Sequence, residues 1–195
     1  MASVIQTFDV ASSITGYGKA PGSDPASIIN WNGSSGNPDG TLIYVEAATG
    51  GLDRLSLASE FLGDRSAYFA GSFSYDFYFS PGSLPLSGNV RDNDIEFVGG
   101  GITLRYDLLP PSAPDTWFNR TVVLSQADNW IDSNTGLDAT NGQIQTVLAN
   151  LTAIYLIADY SGTSNPDTTR FDNISLVAVP ESSSYAALGE LPYSV

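Results

Sequence analysis

The chain has 195 residues and carries 7 basic against 21 acidic side chains, a formal net charge of −14. It contains no cysteine and no histidine. Zinc sites built from these residues, disulfide bonds, cysteine nucleophiles and histidine bases are therefore excluded. Because an acidic surface repels phosphate groups, we expect no nucleic acid as a partner.

The hydrophobic pattern predicts antiparallel strands joined by polar turns. Residues 3–10 favour a strand, and a longer one is predicted over residues 69–79, where aromatic side chains occupy every second position from Phe73 to Phe79. Further strands are predicted at residues 95–98, 102–106, 120–124, 151–158 and 173–178. One short helix is predicted over residues 142–150, with Thr140 or Asn141 as its N-cap. About ten strands at this spacing predict an all-β, two-sheet antiparallel jelly-roll sandwich with one short helix.

The two ends of the sequence are the places where a targeting signal is expected. The first residues lack a basic segment followed by an apolar one, so no signal peptide is predicted. No stretch reaches the roughly 18 apolar residues needed to span a bilayer, so no membrane insertion is expected. Near the other end, Val179-Pro180-Glu181-Ser182 resembles the start of a PEP-type C-terminal sorting signal of bacterial exported proteins, in degenerate form.

Five sequence blocks follow one another in an order that resembles one domain family. They lie at residues 59–76, 94–104, 117–130, 147–154 and 171–176. The last two, VLANLTAI and FDNISL, carry the closest likeness. The set resembles laminin IV type A domains, also called laminin B domains, and the opening Phe8-Asp9 is similar to their bacterial exported versions.

The resemblance implies a non-catalytic, extracellular or cell-surface domain with a sandwich like those of carbohydrate-binding modules. We expect this domain to occupy residues 1–179, followed by a C-terminal tail over residues 180–195. No motif pairs two glutamates as a glycosidase requires, so no enzyme activity is predicted.

A structural calcium ion is predicted from the same resemblance, because jelly-roll carbohydrate modules often hold one between an N-terminal and a C-terminal carboxylate. Asp9 fits the first position and Asp172 the second, with Glu46 as a weaker third. In the predicted alternation Asp172 shares the inward face with Ile174 and Leu176, and a buried carboxylate is costly unless it is paired or binds metal. The alternative is that Asp172 caps a turn or accepts hydrogen bonds from backbone amides.

Aromatic side chains offer a second kind of site, since ring faces stack on the apolar faces of sugars. Trp31, which lies between two asparagines, and Tyr78, on the polar face of its strand, are the predicted ligand-binding residues. Trp117 and Trp130 lie within family blocks and are predicted to belong to the core.

The sequence is compatible with three functions. The first is a structural or adhesive module of a cell surface or matrix, with polysaccharide or other matrix components as partners. The second is a calcium-dependent carbohydrate-binding module. The third is a self-assembling fibre subunit that associates by exchange of terminal strands.

Overall fold

The computed structural model describes residues 2–47, 52–80, 94–108, 113–160 and 166–179. Within these ranges the strands are β1 (Ser3–Gln6), β2 (Gly18–Lys19), β3 (Ile28–Asn32), β4 (Thr41–Val45), β5 (Arg54–Ser56), β6 (Ser72–Ser80), β7 (Ile95–Gly99), β8 (Ile102–Tyr106), β9 (Trp117–Val123), β10 (Ile131–Asp132), β11 (Leu137–Asp138), β12 (Leu151–Ile157) and β13 (Thr168–Val177). One α-helix, α1 (Asn141–Ala149), and three short 3₁₀ helices, Ala11–Ile14, Ser59–Phe61 and Ser66–Tyr68, complete the described elements.

The strands form two antiparallel sheets. The first sheet has the order β3-β4-β13-β6-β9, and the second has the order β11-β10-β8-β7-β12-β5-β2. β13 is long enough to pair with β4 along its first half and with β1 along its second half. The prediction of an all-β, two-sheet antiparallel sandwich with one helix is confirmed.

The core lies between the sheets and rests on the alternation seen in the sequence. On β6, Phe73, Tyr75, Phe77 and Phe79 are all fully buried, as predicted. They meet buried side chains of the second sheet, for example Phe97, whose ring is 5.3 Å from that of Phe73. Because aromatic side chains bury large apolar areas, this layer supplies much of the hydrophobic stabilisation of a chain without disulfides.

Helix α1 closes one side of the core. Thr140 is its N-cap: its hydroxyl accepts from the backbone N–H of Gln143, whose side chain accepts in return from the backbone of Thr140. The helix buries Ile144, Val147 and Leu148, and the predicted cap is confirmed. In the described part of the chain no helix has the length and apolar character to cross a membrane.

Two strands near the ends of the chain differ from the prediction. The strand predicted over residues 3–10 ends at Gln6, because Phe8 is fully buried with a left-handed φ of 54°. The last strand begins earlier than predicted, at Thr168. Strands β2 to β5, β10 and β11 were not among the predicted strands. The tail, with its predicted sorting-signal segment after Val179, lies outside the described residues.

A β-bulge in β13 changes the face of one predicted site residue. The register of β13 against β6 shifts after Asp172, and Asn173 adopts a left-handed φ of 48°. Asp172 therefore lies opposite Asp76 on the outer face of the first sheet, where it is fully buried as predicted, while Ile174 and Leu176 point into the core. The prediction that Asp172 shares their face is wrong, since the extra residue of the bulge reverses the alternation.

Candidate metal centre

Three buried carboxylates meet at one end of the sandwich. Glu46 follows β4 and Asp167 precedes β13, both of the first sheet, whereas Asp159 follows β12 of the second sheet. One carboxylate oxygen from each residue lies within 4.8 Å of the other two. Glu46 is 3% exposed, and Asp159 and Asp167 are fully buried. We call these three residues the carboxylate cluster.

The backbone fixes two of the three carboxylates. The Glu46 N–H donates to the Asp167 carbonyl at 3.0 Å, which extends the pairing of β4 with β13 by one step. The Asp167 N–H donates to Oε2 of Glu46 at 3.2 Å, and the Tyr160 N–H donates to Oδ2 of Asp167 at 3.3 Å. These bonds leave the other carboxylate oxygen of Glu46, Oε1, buried without a hydrogen-bond partner among the described residues.

Negative charge accumulates in the cluster. Burial first, and then the charge of Asp159, raise the pKa of Glu46 from 4.5 to about 7, while the hydrogen bond from the Asp167 N–H acts in the opposite direction. The other charges that shift this pKa, those of Asp167 and Asp53, are also negative. Buried like charges are expensive unless a proton or a cation neutralises them.

The donor set decides which cation fits. All three side chains offer hard oxygen ligands, which suit Ca²⁺ and Mg²⁺, and the chain has no histidine or cysteine to favour zinc. Calcium also accepts backbone carbonyls and water in a flexible shell of six to eight ligands. An ion held here would join the two sheets, since Asp159 follows a strand of the second sheet, whereas Glu46 and Asp167 flank strands of the first sheet.

The predicted calcium residues do not all come together. Glu46 lies in the carboxylate cluster, whereas Asp9 and Asp172 are not members of it. Oδ2 of Asp172 accepts from the Asn37 N–H at 2.6 Å and Oδ1 from the Asn173 N–H at 2.7 Å, which is the alternative role given to it above. Burial raises the pKa of Asp172. Asp9 is exposed and accepts from the Thr7 hydroxyl at 2.6 Å.

Calcium binding by Asp9 and Asp172 stays a prediction. Asp159 and Asp167 were not predicted as ligands, because neither belongs to a metal-binding sequence motif. A signal was present in the sequence, since Asp159 directly follows the apolar run from Ile154 to Ala158, and Asp167 directly precedes the last long strand.

The aromatic residues named from the sequence lie partly in the core and partly at the surface. Trp31 is half-buried and packs against the core, and its indole N–H donates to the Phe8 carbonyl at 2.6 Å. Tyr78 lies on the outer face of β6, as predicted, with its ring centroid 5.6 Å from that of Trp117. Trp130 is a core residue, 1% exposed, as predicted. Trp117 is not: it is partly exposed on the outer face of the first sheet.

Known proteins resemble this chain in sequence and in fold. The laminin B (domain IV) family model matches residues 54–188. The L4b domain of human laminin alpha-2 superposes with a TM-score of 0.57 at 15% identity, covering 65% of this chain and 70% of that domain. The family 11 carbohydrate-binding module of the cellulase Lic26A-Cel5E of Clostridium thermocellum gives a TM-score of 0.55 at 14% identity, over 92% of this chain and 97% of the module.

An exo-β-agarase gives a TM-score of 0.54 at 12% identity, over 90% of this chain but only 25% of the agarase. At these identities the structural likenesses establish the fold alone. No curated protein sequence gives a significant match. The family match covers more than half of the chain, from β5 to beyond β13, and this chain therefore belongs to the laminin B (domain IV) family.

Proposed function

We propose that this chain is a non-catalytic structural or adhesive module of an extracellular surface or matrix, and that a calcium ion in the carboxylate cluster locks its two sheets together. The observation that carries the proposal is the meeting of Glu46, Asp159 and Asp167 within 4.8 Å in a buried position. Membership of the laminin B family and the fold shared with carbohydrate-binding modules support the non-catalytic, extracellular part.

The burial of the cluster favours a structural over a catalytic role. Catalytic carboxylates must reach a substrate, and a glycosidase needs two of them about 5 to 10 Å apart with the sugar between them. Here the three carboxylates are within 4.8 Å of one another and at most 3% exposed. Carboxylates this close together and this deeply buried suit a small cation rather than a sugar.

The identity of the ion follows from the compartment as well as from the ligands. Extracellular calcium-binding modules work with dissociation constants of about 10⁻⁴ to 10⁻³ M, which match the calcium concentration outside cells. A three-carboxylate set is therefore adequate, and the two sheets gain a cross-link that a chain without cysteine cannot obtain from a disulfide.

Thermal unfolding tests the proposal. We expect the melting temperature of the wild type to rise when calcium replaces a chelator such as EGTA, and the rise to be absent in Asp159→Asn. The double variant Asp9→Asn/Asp172→Asn is the matched comparison, because it removes the other predicted calcium pair and leaves the cluster intact. If the calcium-dependent rise in melting temperature is lost in the double variant but kept in Asp159→Asn, the ion binds at Asp9 and Asp172 and not in the carboxylate cluster. If calcium does not raise the melting temperature of the wild type, the proposal is refuted.

A further inference from the structure

The outer face of the first sheet carries an aromatic surface that the metal centre does not use. Tyr78 lies on β6 between its cross-strand neighbours Trp117 on β9 and Arg170 on β13. The rings of Tyr78 and Trp117 are 5.6 Å apart with an interplanar angle of 57°. The Arg170 guanidinium lies 4.6 Å from the Tyr78 ring centroid. We call these three residues the aromatic patch.

The patch retains hydrogen-bonding groups that the fold does not use. The indole N–H of Trp31 donates to Phe8 O at 2.6 Å and that of Trp130 to Val123 O at 2.7 Å. Trp117 is different, because its N–H is neither buried nor bonded within the described part of the chain.

Arg170 and the rim of the patch extend this polar capacity. The Arg170 guanidinium also donates no hydrogen bond to a described residue, and because its Nε is buried, only its two terminal nitrogens are open to a ligand. At the rim, the exposed carboxylate of Asp115 accepts from the Tyr78 hydroxyl at 3.2 Å. Ring faces, unused donors and a carboxylate acceptor are thus placed together on one sheet face.

This combination fits one ligand chemistry. A pyranose ring presents an apolar C–H face that stacks on an aromatic ring, and hydroxyls at its edge that accept from an indole or guanidinium N–H and donate to a carboxylate. Acidic sugars are disfavoured, because the chain has a net charge of −14 and Asp115 stands at the rim. We propose that the aromatic patch binds a neutral polysaccharide, with Trp117 as the main stacking surface.

The proposal does not rest on the metal centre, which lies on other residues. Affinity electrophoresis in native gels tests it, with mixed-linkage β-glucan, laminarin, xylan or agarose cast into the gel at a fixed calcium concentration. We expect at least one of these neutral polymers to retard the wild type, and Trp117→Ala to raise the dissociation constant at least about tenfold. The control is Tyr155→Ala, because Tyr155 is also a partly exposed aromatic beside an arginine, Arg54, but on the second sheet.

A conservative variant separates a binding role from a structural one. Trp117→Phe keeps a ring face and loses the N–H, so we expect an intermediate affinity, with the wild-type melting temperature retained. In the wild type the polymer should also change tryptophan emission, and this change should vanish in Trp117→Phe, where Trp31 and Trp130 remain.

Three outcomes would overturn the proposal. They are no retardation of the wild type by any of the four polymers, equal binding by wild type and Trp117→Ala, or loss of binding in Tyr155→Ala alone. Retardation by alginate, an acidic polymer, in place of the neutral ones would reject the neutral ligand class.

Discussion

Replacement of Glu46 by glutamine separates the repulsion inside the carboxylate cluster from its ability to bind a cation. Glutamine has nearly the same shape, and its carbonyl oxygen is still able to accept from the Asp167 N–H. The variant removes one negative charge from a position where burial and Asp159 raise the pKa of the glutamate to about 7. We therefore expect opposite effects on the calcium-free and the calcium-bound protein.

The calcium-free variant should be more stable than the wild type at pH 8. The folded-state pKa of Glu46, about 7, lies above its unfolded value of 4.5, so this residue lowers the stability progressively as the pH rises from 4.5 to about 7, and the full cost is present above that value. The difference between the two pKa values corresponds to at most about 3.4 kcal/mol, and relaxation around the charge reduces it to about 1 to 2 kcal/mol. Glu46→Gln should recover this amount in the presence of EGTA.

In the presence of calcium, the wild type should be more stable than Glu46→Gln. An ion present at a hundred times its dissociation constant stabilises the wild type by about 2.7 kcal/mol, which for a chain of this size raises the melting temperature by about 5 to 10 °C. Glu46→Gln has lost a charged ligand, so calcium should stabilise it much less than the wild type. The measurement is urea unfolding followed by tryptophan fluorescence, with and without calcium, and the control is Glu60→Gln, which changes an exposed glutamate outside the cluster.

The reasoning would be refuted in either of two ways. Glu46→Gln could gain as much stability from calcium as the wild type, which would remove Glu46 from the binding site. Alternatively, the calcium-free variant could be less stable than the calcium-free wild type, which would mean that Glu46 is not under repulsive stress.

Three further outcomes follow from particular residues. In EGTA, the stability difference between Glu46→Gln and the wild type should grow from near zero at pH 4.5 to its full value above pH 7; a difference independent of pH contradicts the assigned pKa. Trp130→Ala should lower the free energy of unfolding by about 3 to 5 kcal/mol, because the ring is buried, whereas Trp117→Ala should lower it by about 1 kcal/mol; equal losses in urea titrations would place both rings in the core. Thr140→Ala should cost about 1 kcal/mol through loss of the capping box, whereas a melting temperature equal to that of the wild type would deny the cap a role.

Much of the fold was predictable because its signals are local. The alternation that buries Phe73 to Phe79 identifies β6, and the Thr140 cap identifies the start of α1. The site was predictable only in part, since Glu46 was named without the two carboxylates that meet it. Glu46 and Asp167 are 121 positions apart in the chain, and no local pattern indicates that β4 and β13 are neighbours.

The sequence by itself determined the class of this protein. Its composition excludes cysteine and histidine chemistry, its alternation specifies two packed sheets, and its ordered blocks identify the laminin B family. The tertiary structure alone decided which carboxylates share a buried space, which face Asp172 occupies and which tryptophan N–H makes no hydrogen bond to a described residue. The physical reason is that strand register sets the first and the last of these, and a single bulged residue after Asp172 sets the second. Register and bulge both depend on contacts between distant segments that a one-dimensional pattern does not encode.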